Sequence, residues 1–212
     1  MSRFRKRRVL LQVGVAAPVF AFASVGLAAV TYPGFNNARQ YLSELGSVGA
    51  PHPVIFNAGV VVSGLGAIAG GLGFSLALVT LGGSRLASAF ITLCFALAGI
   101  GMVIASYYPW PDPRHLAINL GLGIQLAPLF LLWGLRRIEG MGRLRWFLVG
   151  VFIAMAILTV LTKHLVFKGL VNDANVGWWE RAFAVVLVGW TGIAAYALER
   201  QLVAKAGNLT SG

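Results

Sequence analysis

Six separate runs of about twenty apolar residues constrain this sequence more than anything else in it. The first runs from about Val9 to Val30, the second from Val54 to Leu81 and the third from Leu86 to Tyr107. The fourth runs from Leu116 to Leu135, the fifth from Trp146 to Phe167 and the sixth from Gly177 to Leu198. A helix crosses about 30 Å of hydrocarbon at about 1.5 Å per residue, so about 20 residues span it. The pattern predicts an all-α polytopic transmembrane bundle of six helices, one domain over residues 1–212. A basic N-terminal tail 1–8 and a C-terminal tail 199–212 flank it. Composition agrees: 58% of the residues are hydrophobic and 11% charged, against roughly 25% charged in a soluble domain. Too few charges remain to coat a surface that faces water, so lipid must be the main solvent.

The net charge of +11 does not make this a nucleic-acid binder. Its basic residues cluster between apolar runs, which is how cytoplasmic loops are anchored. One set of alternate loops holds twelve of the Lys and Arg residues, among them Arg3 to Arg8, Arg136, Arg137, Arg143 and Arg145. The other set holds five: Arg39, Arg114, Lys163, Lys168 and Arg181. The excess predicts a multi-pass protein of the cell (inner) membrane with both termini in the cytoplasm. The first run is longer than the about 7–15 residues of a signal h-region, so it reads as a retained helix. Asn208-Leu209-Thr210 matches a glycosylation acceptor, but that topology puts it in the cytoplasm. The single Cys94 excludes an intramolecular disulfide.

Polar chemistry gathers on the outer side. His52, His115 and His164 all fall at outer helix ends, with Glu44, Asp112, Asp173 and Glu180. The longest outer loop, Thr31 to Pro53, holds Asn36 to Gly46, which reads as a short interfacial helix with an Asn cap and a glycine stop. Tyr41, Leu42 and Leu45 share one face, so this helix is expected to lie flat at the interface. Arg39, Ser43 and Glu44 then project elsewhere; either the helix is an interfacial lid without chemistry, or Ser43 and Glu44 point down into a pocket. Asp112 before Pro113 reads as a helix N-cap. His115 lies three residues after Asp112 and Asn119 four after His115, spacings that share a helical face. Asn57, Asn119 and Gln125 are expected to face the bundle interior, because an unpaired polar group in lipid is costly. Snorkelling explains Lys163. Arg181 is a candidate partner for Asp112 or Glu44. The glycine-rich second helix, with Gly66 and Gly70 as a small-xxx-small pair, reads as a packing surface. Pro18 and Pro128 are expected to kink their helices.

The string Tyr32-Pro33-Gly34-Phe35-Asn36, then Arg39-Gln40-Tyr41-Leu42-Ser43-Glu44-Leu45-Gly46, Ala50-Pro51-His52 and Phe56-Asn57-x-Gly59, resembles the bacterial and archaeal membrane proteins of domain-of-unknown-function family 998. Asp112 with His115, and Gly177-Trp178-Trp179-Glu180-Arg181, fit the same pattern. The resemblance covers nearly the whole chain and implies a six-helix membrane fold with no agreed activity. Its motif residues map onto Ser43, Glu44, His52, Asn57, Asp112, His115, Glu180 and Arg181.

Three functions follow as expectations. The first is an outward-facing polar pocket that binds or moves a small amphiphile or lipid headgroup. Its ligand-binding candidates are Arg39, Ser43, Glu44, Asn57, Asp112, Asn119, Lys163, Glu180 and Arg181, and membrane lipids are the expected partners. The second is a zinc-dependent intramembrane hydrolase of a lipid-like substrate. His52, Asp112, His115 and His164 are its metal candidates, while Glu44 and Ser43 are its catalytic candidates. It is similar to integral-membrane ceramidase-like hydrolases, yet lacks their His-x-x-x-His spacing. The third is a structural or accessory membrane subunit whose polar layer only caps helices.

Overall fold

A computed structural model describes residues 3–162, 167 and 169–210. Lys163 and His164, both candidates above, lie outside the described residues. The α-helices are α1 (Arg3–Val30), α2 (Pro53–Leu81), α3 (Arg85–Tyr107), α4 (Ala127–Leu135), α5 (Gly142–Thr162) and α6 (Val176–Thr210). Two 3-10 helices join them: Leu42–Gly46 in the first loop, and the 14-residue stretch Pro113–Leu126 that runs into α4. Among the described residues there is no strand. Among the described residues six segments are long and apolar enough to cross a membrane, with Pro113–Leu135 counting as one of them. The chain is a multi-pass membrane protein.

Several boundaries differ from those expected. Arg5, Lys6, Arg7 and Arg8 lie within the first turns of α1 rather than in a tail, since Arg and Lys are good helix formers. α6 continues past Leu198 through Thr210, so most of the expected tail is helix. The fourth span begins as a 3-10 helix, and Pro128 falls in the first turn of α4. There proline's fixed φ suits the first helical turn. Pro18 lies inside α1, which is helical on both sides of it. At the turn from α2 to α3, Gly82 takes φ 95° and closes α2 by donating to the Leu78 and Val79 carbonyls. Ser84 then caps α3 by accepting from the Ala87 N–H. A left-handed residue at that position favours glycine because it has no Cβ.

The spans follow one another around the bundle. α1 packs on α2 and α6, α2 on α3, α3 on the fourth span, that span on α5, and α5 on α6; α2 also reaches α6 through the middle. Phe74, Phe95 and Trp190, from α2, α3 and α6, meet there with ring centroids 5.3, 6.2 and 6.0 Å apart. The glycines of α2 are packing positions, as expected. A Cβ on Gly70 would lie 2.9 Å from Gly14 Cα and one on Gly66 2.7 Å from Ala17 Cβ, both on α1; one on Gly71 would lie 2.4 Å from Phe95 Cβ on α3. Such close approach of backbones supplies the dispersion contacts that hold helices together in lipid, where no hydrophobic effect drives them. Near the start of α1, Arg8 bonds Glu199 near the end of α6, so both ends of the chain share one side of the bundle. The loop helix Leu42–Gly46 sits on the opposite side.

Candidate functional site

The first loop is docked into the bundle rather than laid flat on its rim. Only Leu42–Gly46 is helical. Ahead of it, the Asn36 side chain accepts from the Ala38 and Arg39 N–H groups at 3.0 and 3.3 Å. That local turn competes with helix formation, as Asn side chains commonly do. Glu44 closes the start of the short helix: the Tyr41 N–H donates to one carboxylate oxygen at 2.8 Å and Gln40 Nε2 to the other at 2.9 Å. Leu45, 1% exposed, packs with Ala28 of α1 and Phe56 of α2, whereas Tyr41 is exposed. The expected interfacial face is thus split, because burying Leu45 in this second apolar cluster turns the helix inward. Asn57 faces the protein, as expected, and donates to the Gly46 carbonyl at 2.9 Å. A Cβ on Gly46 would lie 2.6 Å from Phe56 Cδ1, so the loop can sit this low only with glycine there.

The start of α6 holds the other edge of the loop. The Gly177 N–H donates to the Ala38 carbonyl at 2.7 Å, and the Leu42 N–H to a Glu180 carboxylate oxygen. Arg181 reaches back through Nε to Asn37 Oδ1 at 3.1 Å, and through Nη1 to the Gln40 and Gly177 carbonyls at 2.9 and 2.8 Å. Its Cζ stands 5.4 Å from the Phe35 ring centroid. The remaining nitrogen, Nη2, is enclosed and has no hydrogen-bond partner. Neither expected ion pair of Arg181 forms: the salt bridges among the described residues are Arg8–Glu199 and Arg114–Asp112. Packing order is the reason. α6 borders α1 and α2, while Asp112 belongs to the corner between α3 and the fourth span; Glu44 is turned back onto its own helix.

At that corner Asp112 is the N-cap that its place before Pro113 implies. It accepts from the Arg114 N–H at 2.8 Å and from the Arg114 guanidinium at 3.0 and 2.7 Å. The side-chain bonds from Arg114, and then its backbone N–H, lower the Asp112 carboxyl to about 2. The guanidinium also lies 3.7 Å from the Tyr108 ring centroid. His115 Nδ1 is 2.8 Å from the Ala105 carbonyl and 3.2 Å from that of Tyr108. Two carbonyl oxygens on one ring nitrogen require that nitrogen to carry the proton. These residues clamp the end of α3 to the start of the fourth span.

Asn119 does not share a face with His115 and does not point inward: it is exposed. In a 3-10 helix side chains three apart align and those four apart diverge. Asn119 therefore falls in line with Leu116 and Leu122, exposed by 58% and 52%. Gln125, two turns deeper in the same row, is met there by α5 and accepts from its Thr159 hydroxyl at 3.1 Å. Arg39 and His52 are exposed, and Ser43 is half-buried in the loop helix. Among the described residues no three of His, Cys, Asp and Glu come together as a metal site. Asp112 and His115 are already engaged as above, and His164 is not among the described residues.

Sequence reasoning missed four participants at the loop: Asn37, Gln40 and the backbones of Ala38 and Gly177. Gly177 opens the Gly-Trp-Trp-Glu-Arg string and was the available signal. It also missed the opposite side of the bundle, where Glu199, 9% exposed, takes Arg8 Nε at 2.6 Å and Gln12 Nε2 at 3.1 Å. Gln12 inside an otherwise apolar run was the signal there. In comparison with known families, the model of a "protein of unknown function (DUF998)" family matches residues 15–197, a segment that includes the whole loop lock. No curated protein and no solved structure matches the chain.

Proposed function

The chain belongs to the DUF998 family, and we propose that this member, a protein of the cell membrane with both termini cytoplasmic, binds the headgroup of a lipid-like amphiphile. Binding occurs on its outer face, with Arg181 as the group that takes the anionic oxygen. The observation that carries this reading is the enclosed Arg181 Nη2 without a partner. An ionisable residue within a span is by default a functional candidate; Arg181 lies inside the sixth, and a buried donor left unbonded costs about 1–3 kcal/mol. A phosphate or carboxylate oxygen of a ligand removes that cost. Glu180 and Glu44 stand near, engaged with backbone N–H groups and Gln40, so the surroundings suit a headgroup of mixed sign, an ammonium beside an anionic oxygen. The apolar part would adjoin the cluster of Leu45, Phe56 and Phe35.

Access requires the Asn36–Gly46 segment to lift, because that segment covers the guanidinium. The hydrogen bonds that hold it to α6 are four, and each ends on Arg181, Glu180 or Gly177 among the described residues. A ligand that claims Arg181 competes with the loop for the same donors. The test is mass spectrometry of amphiphiles that stay bound through detergent purification. Arg181→Met is expected to lose a headgroup-bearing species that the unaltered protein retains. Asn37→Ala, which weakens the lid and leaves the guanidinium in place, is expected to keep or raise it. If Arg181→Met, shown folded by its melting transition, retains the same species, the reading is wrong.

A further inference from the structure

A groove on the membrane-facing surface between α1 and α6 stands apart from the outer rim. Val15, Ala16, Val19, Phe20 and Ala23 form its α1 wall. Tyr196 and Glu199 form the α6 side, and Gln12 lies at the end nearest the chain termini. The stripe continues toward the termini through Arg8, at the helical spacing of four residues from Gln12. Arg8 is bonded to Glu199 and its side chain is 47% exposed. Arg200 is exposed, with its Cζ 6.0 Å from the Tyr196 ring centroid. Two guanidinium groups therefore flank one end of an apolar trough.

We propose that this groove holds one chain of an anionic phospholipid from the leaflet on the termini side, with its phosphate between Arg8 and Arg200. Three features point to that occupant. From Gln12 to Ala23 the groove runs eleven residues along α1, about 16 Å, the depth of one leaflet of hydrocarbon. Ala16 and Ala23 leave room on the wall that a larger side chain would fill. The charge at the mouth is positive: Glu199, the carboxylate that lines the groove, is taken up by Arg8 and Gln12, which leaves Arg200 uncompensated by it and Arg8 still half-exposed. A cationic mouth over an apolar trough complements a phosphate ester on an acyl chain. A partner helix would have to bring an acidic side chain to the same level.

The test uses the purified full chain in native mass spectrometry, titrated with dioleoyl phosphatidylglycerol or dioleoyl phosphatidylcholine. The expected result is one tightly held phosphatidylglycerol in preference to phosphatidylcholine. A juxtamembrane cation contributes roughly a five-fold change in affinity, so Arg200→Gln, which leaves the Arg8–Glu199 pair intact, is expected to weaken it about five-fold. Ala16→Trp fills the trough from an exposed position and is expected to abolish the tight adduct without a change in melting temperature. Equal binding of the two lipids, or an adduct unaffected by Ala16→Trp, overturns the proposal. A dimer of this chain that Ala16→Trp dissolves, with no lipid retained, also overturns it and assigns the groove to a second copy. Arg181→Met is expected to leave this adduct unchanged, so the outcome is independent of the outer-face reading.

Discussion

Gly177→Ala tests whether the first loop is a lid locked onto α6. A Cβ at that position would lie 2.5 Å from the Asn37 carbonyl oxygen, 2.6 Å from that of Gln40 and 2.8 Å from Arg181 Nη1. Two of the three are backbone atoms, which cannot rotate away as a side chain does. Ordinary van der Waals contact at about 3.4 Å or more requires the loop to retreat by roughly 0.9 Å. The Arg181–Gln40 bond, 2.9 Å at present, then stretches beyond hydrogen-bond range, and the Gly177–Ala38 bond of 2.7 Å is strained with it. A charged donor's bond contributes about 1.5–3 kcal/mol and a backbone bond about 0.5–1.5. Against that loss, alanine in place of glycine near a helix start gains at most about 1 kcal/mol. The net cost of about 1–3 kcal/mol raises the detached population of the loop roughly five-fold to 150-fold. Hydrogen–deuterium exchange in detergent reads this directly: amides of segment 36–46 are expected to exchange faster by that factor, while those of α2 and α3 do not change. Exchange of the loop that stays at its original rate would refute the lock. A uniform rise over the whole chain would refute its independence from the bundle.

Two further predictions concern the corner and the core. The Asp112 carboxyl, held near 2 by Arg114, lies below the ordinary value of about 3.9; the sign of that shift means its contact contributes fully above about pH 4 and is lost as pH falls through about 2. Carboxyl carbon NMR in micelles is expected to show that low midpoint, and Arg114→Gln is expected to return it toward about 3.9; an ordinary midpoint in the unaltered protein would contradict the geometry. In the core, Gly70→Ala sets a Cβ 2.9 Å from Gly14 Cα, so α1 and α2 must part. Overpacking of this kind typically costs about 1–3 kcal/mol, expected as a lower melting temperature, with Gly26→Ala, whose Cβ would meet nothing within 4 Å, as the unaffected control.

The six spans were legible because the bilayer sets a length that does not depend on which helix packs on which. Glycine packing in α2 was legible for a related reason: six glycines in one span have few uses in lipid other than close approach. Local chemistry was legible too, and Asp112 caps the fourth span from two residues away. What failed were statements that need the packing order or the helix type. Arg181 was offered Asp112 or Glu44 as partners on charge alone, but the ring of helices puts Asp112 across the bundle, and the neutral carbonyls of the adjacent loop take its place. Asn119 was placed inward on a 3.6-residue period, and the 3-10 geometry of Pro113–Leu126 moves it onto the exposed row. Nothing in the residue types of that stretch announces the tighter period.

The polar residues of the outer rim divide by what they hold. At the corner of α3 and the fourth span every polar group named has its partner within the same connection: Asp112 with Arg114, Arg114 with Tyr108, His115 with the end of α3. Such an arrangement fixes a turn. The loop against α6 differs, because its bonds link segments about 140 residues apart in sequence, and one nitrogen of its central cation is left unbonded. A purely structural lock gains from satisfying every donor, since a buried orphan costs as much as a good hydrogen bond contributes. Ser63 and Trp190 carry orphaned polar atoms inside the bundle as well, so what sets Arg181 apart is its place between the loop and α6, the physical ground on which the loop is proposed as a lid and Arg181 as what it covers.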